Sequence, residues 1–373
     1  MNRASSFEWP RLLAGSLGFL LLFLLWVRWA DAIGAFSATR GWDFPAFYIA
    51  AHVNLTDLYS REAFITFGHE RLAPVGMLHW PSYVRPAVFA LALRPLALFS
   101  FWRAYWLWVG VGIGAYFATA YVLMRWLNLS PYVLAPFGAF MPAVFGIITG
   151  QDITVYALVM TLALILLLEE HDVAAGILLG ICAYKFNLIL LVPVALIAHR
   201  RWKAVATLVA AVAIEAATSA LMVSPRAYVG LLRHLSEPGT EGVKIAGLRG
   251  VLVAVHHPQW FAPLATVALV ACICVIYRLP LREAFCVAIT GALLFGYKTA
   301  WYDCTLLVLP LAILIATGGR ALRVVVSALL VVAPLWLIAS DIPLNVVVET
   351  GILLVFAARP NAVWSADRLS VAV

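Results

Sequence analysis

The sequence predicts an all-α polytopic membrane protein with about twelve transmembrane helices, folded as one domain over residues 1–373. Of its 373 residues, 64% are hydrophobic and 12% are charged, and the mean hydropathy is +0.98. Soluble proteins have about 45–50% apolar and about 25% charged residues. One soluble core cannot bury this excess, and the helices leave no room for a soluble catalytic domain. Any chemistry therefore lies in the membrane helices and their loops.

The helix count rests on apolar runs, each of which predicts a helix. The runs are 12–29, 83–99, 101–124, 132–148, 154–168, 173–198, 204–223, 261–277, 284–297, 305–317, 321–339 and 345–358. Run 83–99 contains two Arg-Pro pairs and is compatible with a segment that dips into the outer leaflet and returns. Run 173–198 is interrupted at Lys185, so two short helices are the alternative to one long helix.

Charge bias sets the predicted orientation. The basic cluster at 199–203 lies between two apolar runs and should be cytoplasmic, because cytoplasmic loops carry an excess of Lys and Arg. The polar loops 31–82 and 224–260 then lie outside, and the first loop has short interfacial helices expected at 44–53 and 61–72. We expect a multi-pass protein of the plasma (inner) membrane, in contact with membrane lipids, whose site faces the exterior or periplasm.

Several classes of function are excluded. The formal net charge of +7 comes from basic residues scattered singly or at the ends of apolar runs, so no nucleic-acid partner is expected. The sequence has no glycine-rich phosphate loop and no His-Glu-x-x-His motif. The five cysteines have no CxxC partner and no nearby histidines, so neither disulfides nor a metal site is predicted. We expect no metal and no cofactor.

Asp43 lies in the segment GWDFPAFY, between aromatic residues and just outside the first predicted helix. A carboxylate in this position is a candidate general base. The alternative is a helix cap, because Asp before a first turn that contains proline is a common helix start. The spacing alone favours the cap.

Arg85 and Lys185 are charged residues at or within apolar runs, where burial of a charge is costly. Arg85 either holds a phosphate or extends to the lipid headgroups. Lys185 lies in the middle of its run and needs an anionic partner or a wet cavity. For Lys185, phosphate binding and a structural ion pair are both open.

Polar residues at two further turns complete the candidate set. Asp152 follows Gln151 at a predicted helix start, where a carboxylate complements the helix dipole. Lys298, Tyr302 and Asp303 lie at a turn that the topology places outside. These three residues either contact a substrate or form an ordinary interface anchor with a cap.

Five stretches in order give a resemblance to a known family. The run GWDFPAFYIAAHVNLTDLYS, which begins at residue 41, resembles the first-loop signature of glycosyltransferase family 87, membrane enzymes of the GT-C superfamily. That signature has an Asp, a following Tyr, a small-residue pair and a later Leu-Tyr. The other four stretches are VRPAVFALALRPLALFSFWRAYW, GQDITVYAL, AAGILLGICAYKFNLILLVPVALIAHRRWKA and YKTAWYDCTLLVLPLAIL. Together they cover most of residues 41–317.

The resemblance implies a GT-C-type fold and an inverting transfer of a hexose, with mannose as the expected sugar. The donor would be a polyprenyl-phosphate sugar, and the acceptor a hydroxyl of a glycolipid or glycan at the outer face. The family's first-loop aspartate, which deprotonates the acceptor, falls on Asp43, and its lysine in the broken helix falls on Lys185. The residues that would bind substrate are Tyr48, Gln151, Tyr302 and Asp303.

The phosphate that the donor releases needs cations rather than a nucleotide fold. The candidates are Arg85, Lys185, Lys298 and Arg249. Two departures from the family pattern concern the substrates more than the reaction. Many members have Pro-Pro where this chain has Arg85-Pro86, and a proline often follows the lysine where this chain has Phe186.

Two other functions remain open at the level of sequence. A transporter or flippase of a lipid-linked or amphipathic solute would use Arg85 and Lys185 along its path, and an internal repeat, which is not visible here, would favour it. A non-catalytic partner in an envelope-assembly complex would need only the polar outer loop. The partner would tolerate substitution of Asp43 and Lys185 together, and the enzyme would not.

Overall fold

The computed structural model describes residues 9–32, 42–77, 80–223, 246–297, 299–331 and 344–358, and the isolated positions 227, 229 and 231. Within these ranges the chain is helical and has no β-strand, which confirms the all-helical prediction there. The first nine helices are α1 (Trp9–Ala32), α2 (Phe44–His52), α3 (Arg61–Phe67), α4 (Ala87–Leu93), α5 (Phe101–Trp126), α6 (Leu134–Gly138), α7 (Met141–Thr149), α8 (Ile153–Leu168) and α9 (Asp172–Ile181).

The remaining described helices follow the break at Lys185. They are α10 (Phe186–Ile189), α11 (Val192–Ala198), α12 (Trp202–Met222), α13 (Gly247–Ala254), α14 (Phe261–Ile276), α15 (Leu281–Phe295), α16 (Val308–Thr317), α17 (Arg320–Val331) and α18 (Leu344–Ala357). Short 3-10 or π turns lie at Leu55–Asp57, Gly68–Leu72, Ala73–Val75, Arg94–Leu98, Pro131–Val133, Cys182–Lys185, Pro258–Trp260 and Trp301–Leu307.

Several of these helices can cross a membrane. In the described ranges five helical segments are long and apolar enough, namely Trp9–Trp29, Phe101–Trp126, Asp172–Ile189, Trp202–Met222 and Pro258–Ile276. The pair Pro131–Gly138 and Met141–Thr149, bent by 58°, is a sixth if its two arms form one span. The shorter apolar helices are Ala87–Leu98, Ile153–Leu168, Trp301–Thr317 and Val346–Ala357. The chain is therefore a membrane protein with several helical spans, and the count of about twelve stays a prediction.

Helices α9 and α12 pack closely through small residues. A methyl group added at Gly176 would overlap Thr207, and one added at Gly180 would overlap Ala211. Small residues four positions apart let two helix backbones approach, which is how helices associate where water supplies no driving force. This contact places the α9 end of the broken helix against α12.

Helix α2 forms where the sequence predicts an interfacial helix, but it does not have an exposed face. All residues from Phe44 to Ala51 are buried, because the segment is apolar on every side. The Arg94 guanidinium donates hydrogen bonds to the carbonyl oxygens of Ala51 at 3.0 Å and Val53 at 2.8 Å, near the carboxyl end of α2. A cation there complements the helix dipole. The first loop is thus packed into the protein at α2.

The alternative of two short helices in run 173–198 is borne out in part: the regular helix is interrupted at Lys185, but Asp172–Ile189 still forms one segment long enough to cross a membrane. Helix α9 ends at Ile181, the turn Cys182–Lys185 follows, and α10 spans only four residues before α11 begins at Val192. Lys185 has φ −105° and ψ 64°, outside the helical region, so the regular helix is interrupted at this residue. The break turns the lysine side chain into the interior, where it is 5% exposed.

Candidate active site

Charged and polar side chains from five separate parts of the chain meet at one end of α8. They come from the residue before α2, the segment before α4, the turn between α7 and α8, the break at the end of α9, and the turn before α16. We call these residues the charged cluster; its members are Asp43, Arg85, Gln151, Asp152, Lys185, Tyr302 and Asp303. The site is therefore a product of tertiary folding.

Asp43 occupies the N-cap position of α2 but does not cap it. The side chain accepts no hydrogen bond from the first turn of the helix, although Pro45 is present there as expected. Instead the carboxylate lies close enough to the side chain of Gln151 for the amide to act to lower its pKa. The backbone N–H of Asp43 donates to the carbonyl oxygen of Thr149 at 3.0 Å. The structure therefore does not support the helix-cap alternative for Asp43. Its carboxylate interacts with the charged cluster, and its role as a base stays a prediction.

Gly150 produces the turn that brings Gln151 to Asp43. Its φ is +80°, in the left-handed region, and it ends α7. A Cβ at this position would lie 2.6 Å from the Cβ of Phe44, so a side chain does not fit. The carbonyl oxygen of Gly150 accepts a hydrogen bond from the indole N–H of Trp108 at 2.9 Å, which fixes the turn.

Gln151 connects Asp43 to Tyr302. Its side-chain nitrogen lies 3.1 Å from the Tyr302 hydroxyl. Its side-chain oxygen is buried and accepts no hydrogen bond from any residue that the structure describes. Buried polar atoms usually have a hydrogen-bond partner, and this oxygen is available to accept a hydrogen bond from a ligand.

Arg85 does not extend to the lipid headgroups but forms a partly buried ion pair with Asp152. Its Nε lies 3.4 Å from Oδ2 of Asp152 and its Nη2 lies 3.4 Å from Oδ1. The two side chains are 13% and 2% exposed. The guanidinium carbon also lies 5.3 Å from the ring centre of Tyr184, a cation–π distance. Asp152 thus contacts one edge of the planar guanidinium, and the ring of Tyr184 lies against one face.

Lys185 contacts two carboxylates. Its Nζ lies 3.0 Å from Oδ1 of Asp152 and 3.3 Å from Oδ1 of Asp303. Asp303 is itself fixed, because its Oδ2 accepts the backbone N–H of Ala300 at 2.8 Å. The Nζ also lies 5.6 Å from the ring centre of Tyr302. The structural ion pair that the sequence left open for Lys185 is therefore present.

Asp152 is the member of the cluster whose contacts the sequence did not predict. It lies at the start of α8, where a helix-dipole role was expected, but its side chain makes no capping bond to α8 and contacts Arg85 and Lys185. Burial acts to raise the pKa of Asp152, but the charges of Arg85 and Lys185 more than offset burial and hold that pKa well below its ordinary value. The carboxylate is ionised between two cations.

The pKa of Asp43 moves in the opposite direction. Burial raises it above its ordinary value of 3.8, although the side chain of Gln151 and the charges of Lys185 and Arg85 act to lower it. A carboxylate with a raised pKa accepts a proton more readily, which suits a general base. Asp43 and Asp152 thus differ in protonation tendency because only Asp152 contacts both cations directly.

The remaining predicted site residues lie outside the charged cluster. The Tyr48 hydroxyl donates to the carbonyl oxygen of Phe99 at 2.9 Å, and its ring packs among aromatic residues. Arg249 donates to the carbonyl oxygen of Tyr297 at 3.0 Å and lies over that ring. Lys298 lies outside the described residues. In the described part of the chain, no group of three or more His, Cys, Asp or Glu side chains is arranged to hold a metal ion.

The family assignment rests on a match over the middle of the chain. Residues 83–297, more than half of the sequence, match the model of glycosyltransferase family 87. This chain belongs to glycosyltransferase family 87. It is a membrane glycosyltransferase of the GT-C type, which confirms the resemblance found from the five sequence stretches. No curated protein matches the chain.

Family 87 membership gives the chain a reaction class, glycosyl transfer. The matched range contains Arg85, Gln151, Asp152 and Lys185, whereas Asp43 precedes it and Asp303 follows it. The geometry brings the residues inside and outside the matched range into one site.

Proposed function

We propose that this family 87 protein transfers a hexose, with mannose as the first sugar to test, from a polyprenyl-phosphate donor to an acceptor hydroxyl. The observation that carries the proposal is the placement of Asp43, with its raised pKa, beside a cluster that contains the buried Lys185 and the largely buried Arg85. The unpartnered Gln151 oxygen next to Asp43 supports binding of a sugar or acceptor hydroxyl there.

The proposed step is a single inverting displacement. The acceptor oxygen forms a bond to the anomeric carbon while the bond from that carbon to the phosphate oxygen breaks. The proton of the acceptor hydroxyl moves to Asp43, and the electron pair of the broken bond stays on the phosphate. No covalent intermediate forms, so a β-linked donor gives an α-linked product.

Charge moves through the site during this step. Asp43 loses its negative charge as it takes the proton, and the departing lipid phosphate gains one. Arg85 and Lys185 are the cations that would stabilise the developing charge, because guanidinium and ammonium groups make charge-assisted hydrogen bonds to phosphate. The proposal therefore uses this chain's own cations, and we propose that it needs no metal and no cofactor.

An apolar groove supports a lipid-linked donor. It has a volume of about 660 Å³ and lies between α4, α9 and α12. Phe89, Ile181, Ala210 and Tyr184 are among its walls. Tyr184 faces the groove and also lies beside Arg85, so the groove ends at the charged cluster. A donor with its phosphate at Arg85 would have this groove for its hydrocarbon chain.

The position of the basic cluster at 199–203 supports an outward-facing site. Arg201 pairs with Asp172 at 3.4 Å, and Asp172 follows the carboxyl end of α8 closely. The charged cluster lies at the amino end of α8, which has 16 residues and a length of about 24 Å. The two groups are thus at opposite ends of α8. If 199–203 is cytoplasmic, the charged cluster faces the exterior or periplasm of the plasma (inner) membrane.

The test is a transfer assay with purified protein in lipid nanodiscs. Radiolabelled polyprenyl-phosphate-mannose is the donor and a membrane lipid extract supplies a glycolipid or glycan acceptor. We expect labelled product with wild type and none with Asp43→Asn. Asp57→Asn, an exposed carboxylate in the same loop, is the matched control and should keep wild-type transfer. Wild-type transfer by a well-expressed Asp43→Asn variant would overturn Asp43 as the base.

Identification of the substrates follows from the same assay. Other lipid-linked hexoses replace mannose if no product forms, because the cluster recognises the phosphate and the groove recognises the chain. Binding of these donors to wild type without product from any of them, together with their movement across the bilayer, would instead support the transporter.

A further inference from the structure

Asp152 has a contact pattern that an ordinary helix cap does not have. It occupies the N-cap position of α8, yet its side chain makes no bond to the helix. Its Oδ1 is shared by two cations, with Lys185 Nζ at 3.0 Å and Arg85 Nη2 at 3.4 Å. Two positive groups that contact one oxygen are necessarily close to each other. Without this carboxylate they would repel in an environment that screens charge weakly.

The two cations depend on Asp152 to different degrees. Lys185 has a second carboxylate, Asp303, at 3.3 Å. For Arg85, Asp152 is the only ion-pair partner in the part of the chain that the structure describes. Loss of Asp152 would leave Lys185 held by Asp303, whereas Arg85 would keep only its contact with the ring of Tyr184 and its guanidinium could turn away from Lys185.

The carboxylate of Asp152 also repels the phosphate of the proposed donor. A donor phosphate that binds to Arg85 and Lys185 approaches Asp152, which is negatively charged as well. Asp152 therefore weakens anion binding while it fixes the cations that the reaction uses. Binding and transfer should respond to its removal in opposite directions.

We infer that Asp152 is a positioning residue of the transferase, which holds Arg85 and Lys185 in one fixed arrangement at the cost of affinity for the lipid phosphate. The inference rests on the proposed transfer from a polyprenyl-phosphate donor. Asp152 acts through the two cations and not on the reacting atoms. A fixed arrangement matters because a misplacement of about 1 Å in a catalytic site can cost about 10²-fold in rate.

The experiment measures binding and transfer separately. Purified wild type and Asp152→Asn in nanodiscs are titrated with radiolabelled polyprenyl phosphate, and kcat is measured at saturating polyprenyl-phosphate sugar. We expect Asp152→Asn to bind the lipid phosphate more tightly than wild type and to transfer about 10²-fold more slowly. A loss of folded protein lowers the number of binding sites and the apparent kcat together, and it cannot tighten binding.

Three further variants complete the test. Asp172→Asn breaks an Arg–Asp pair with the same 3.4 Å separation at the other end of α8 and should leave both quantities unchanged. Asp152→Glu keeps the charge but lengthens the side chain, so kcat should fall while the Kd for polyprenyl phosphate stays near wild type. In an Arg85→Gln background, Asp152→Asn should slow transfer far less than it does in wild type, because Lys185 keeps Asp303.

The outcomes separate this inference from the proposed function. If wild type neither binds polyprenyl phosphate nor transfers its sugar, the proposed function fails and the inference fails with it. If wild type does both, two results would overturn the inference alone. The first is a wild-type kcat in Asp152→Asn. The second is that Asp152→Asn weakens binding and slows transfer by the same factors in the Arg85→Gln background as in wild type. If Asp152→Asn does not fold, Asp152→Glu decides, and unchanged kcat in that variant overturns the inference.

Discussion

The ring centre of Tyr184 lies 5.3 Å from the guanidinium carbon of Arg85, and the same residue lines the apolar groove between α4, α9 and α12. One residue thus borders both the charged cluster and the surface proposed for a lipid chain. This relationship predicts that changes in the groove affect long-chain donors and not the chemistry itself.

Filling the groove should weaken use of long-chain donors. Ala210 lines it, so Ala210→Trp should raise the KM for a long polyprenyl-phosphate sugar by about tenfold while a short-chain analogue keeps its wild-type KM. Kinetics with donors of two chain lengths measure the difference. Val209→Trp, at the adjacent exposed position that does not line the groove, is the control. An equal change of KM for both donors would contradict binding of the chain in this groove.

The rate of transfer should fall as the pH is lowered, and the midpoint of this fall should lie above 3.8, the ordinary pKa of an Asp side chain. The pKa of Asp43 is raised from 3.8, and the base must be ionised to accept a proton. Activity therefore rises with pH as Asp43 loses its proton. The measurement is a profile of kcat/KM against pH for wild type. A midpoint at or below 3.8 would show that another group controls the acid limb.

Asp43→Asn should make the protein more stable at neutral pH. Because burial raises the pKa of Asp43 in the folded state, the folded protein binds this proton more tightly than the unfolded chain does. Stability from this residue is complete below its ordinary pKa and is lost as pH rises through the raised value. We expect a higher Tm for Asp43→Asn than for wild type at about pH 7, and a smaller difference at about pH 4. Asp57→Asn should show neither change.

Gly150→Ala should impair both stability and transfer. Alanine at φ +80° is strained by about 1–3 kcal/mol, and its Cβ would meet Phe44. Relief of that contact moves Gln151 away from Asp43, so kcat should fall as well as Tm. Gly114→Ala is the control, because a Cβ there meets nothing within 4 Å and alanine favours the α5 helix. Wild-type kcat in Gly150→Ala would show that the turn does not position Gln151.

Removal of divalent ions should leave transfer unchanged. The proposed reaction places its positive charge on Arg85 and Lys185, so dialysis against a chelator should not alter kcat, and added Mg²⁺ or Mn²⁺ should not raise it. Transfer in the presence and absence of the chelator is the measurement. Loss of activity that a divalent ion restores would contradict the proposal that no metal is needed.

Local patterns predicted the helices well. Run 101–124 corresponds to Phe101–Trp126 and run 154–168 to Ile153–Leu168. A long apolar run predicts a membrane helix from local sequence alone, without knowledge of tertiary contacts. The break at Lys185 was visible for the same reason, since a charge and an amide interrupt an apolar run. Burial of α2 was not predicted, because an all-apolar segment of nine residues is compatible with an interface or a core.

Local sequence patterns could not predict which charged residues pair with each other in the site. Arg85 and Asp152 are 67 residues apart, and Lys185 and Asp303 are 118 apart, so no periodicity relates them. The sequence identified Asp43, Arg85 and Lys185 as unusual because each is a charge next to apolar residues. It assigned Asp152 to the helix dipole because the position of a carboxylate at a helix start does not reveal where its side chain points.

The separation of these partners along the chain has a consequence for biogenesis. Asp43, Arg85 and Asp152 are synthesised before Lys185, whereas Asp303 follows Lys185 by 118 residues. Of the two carboxylates that contact Lys185, Asp152 is therefore synthesised before the lysine and Asp303 after it. A nascent chain that ends between Lys185 and Asp303 therefore contains four of the five charged residues of the cluster, and it receives the last carboxylate only after 302 of the 373 residues have been made.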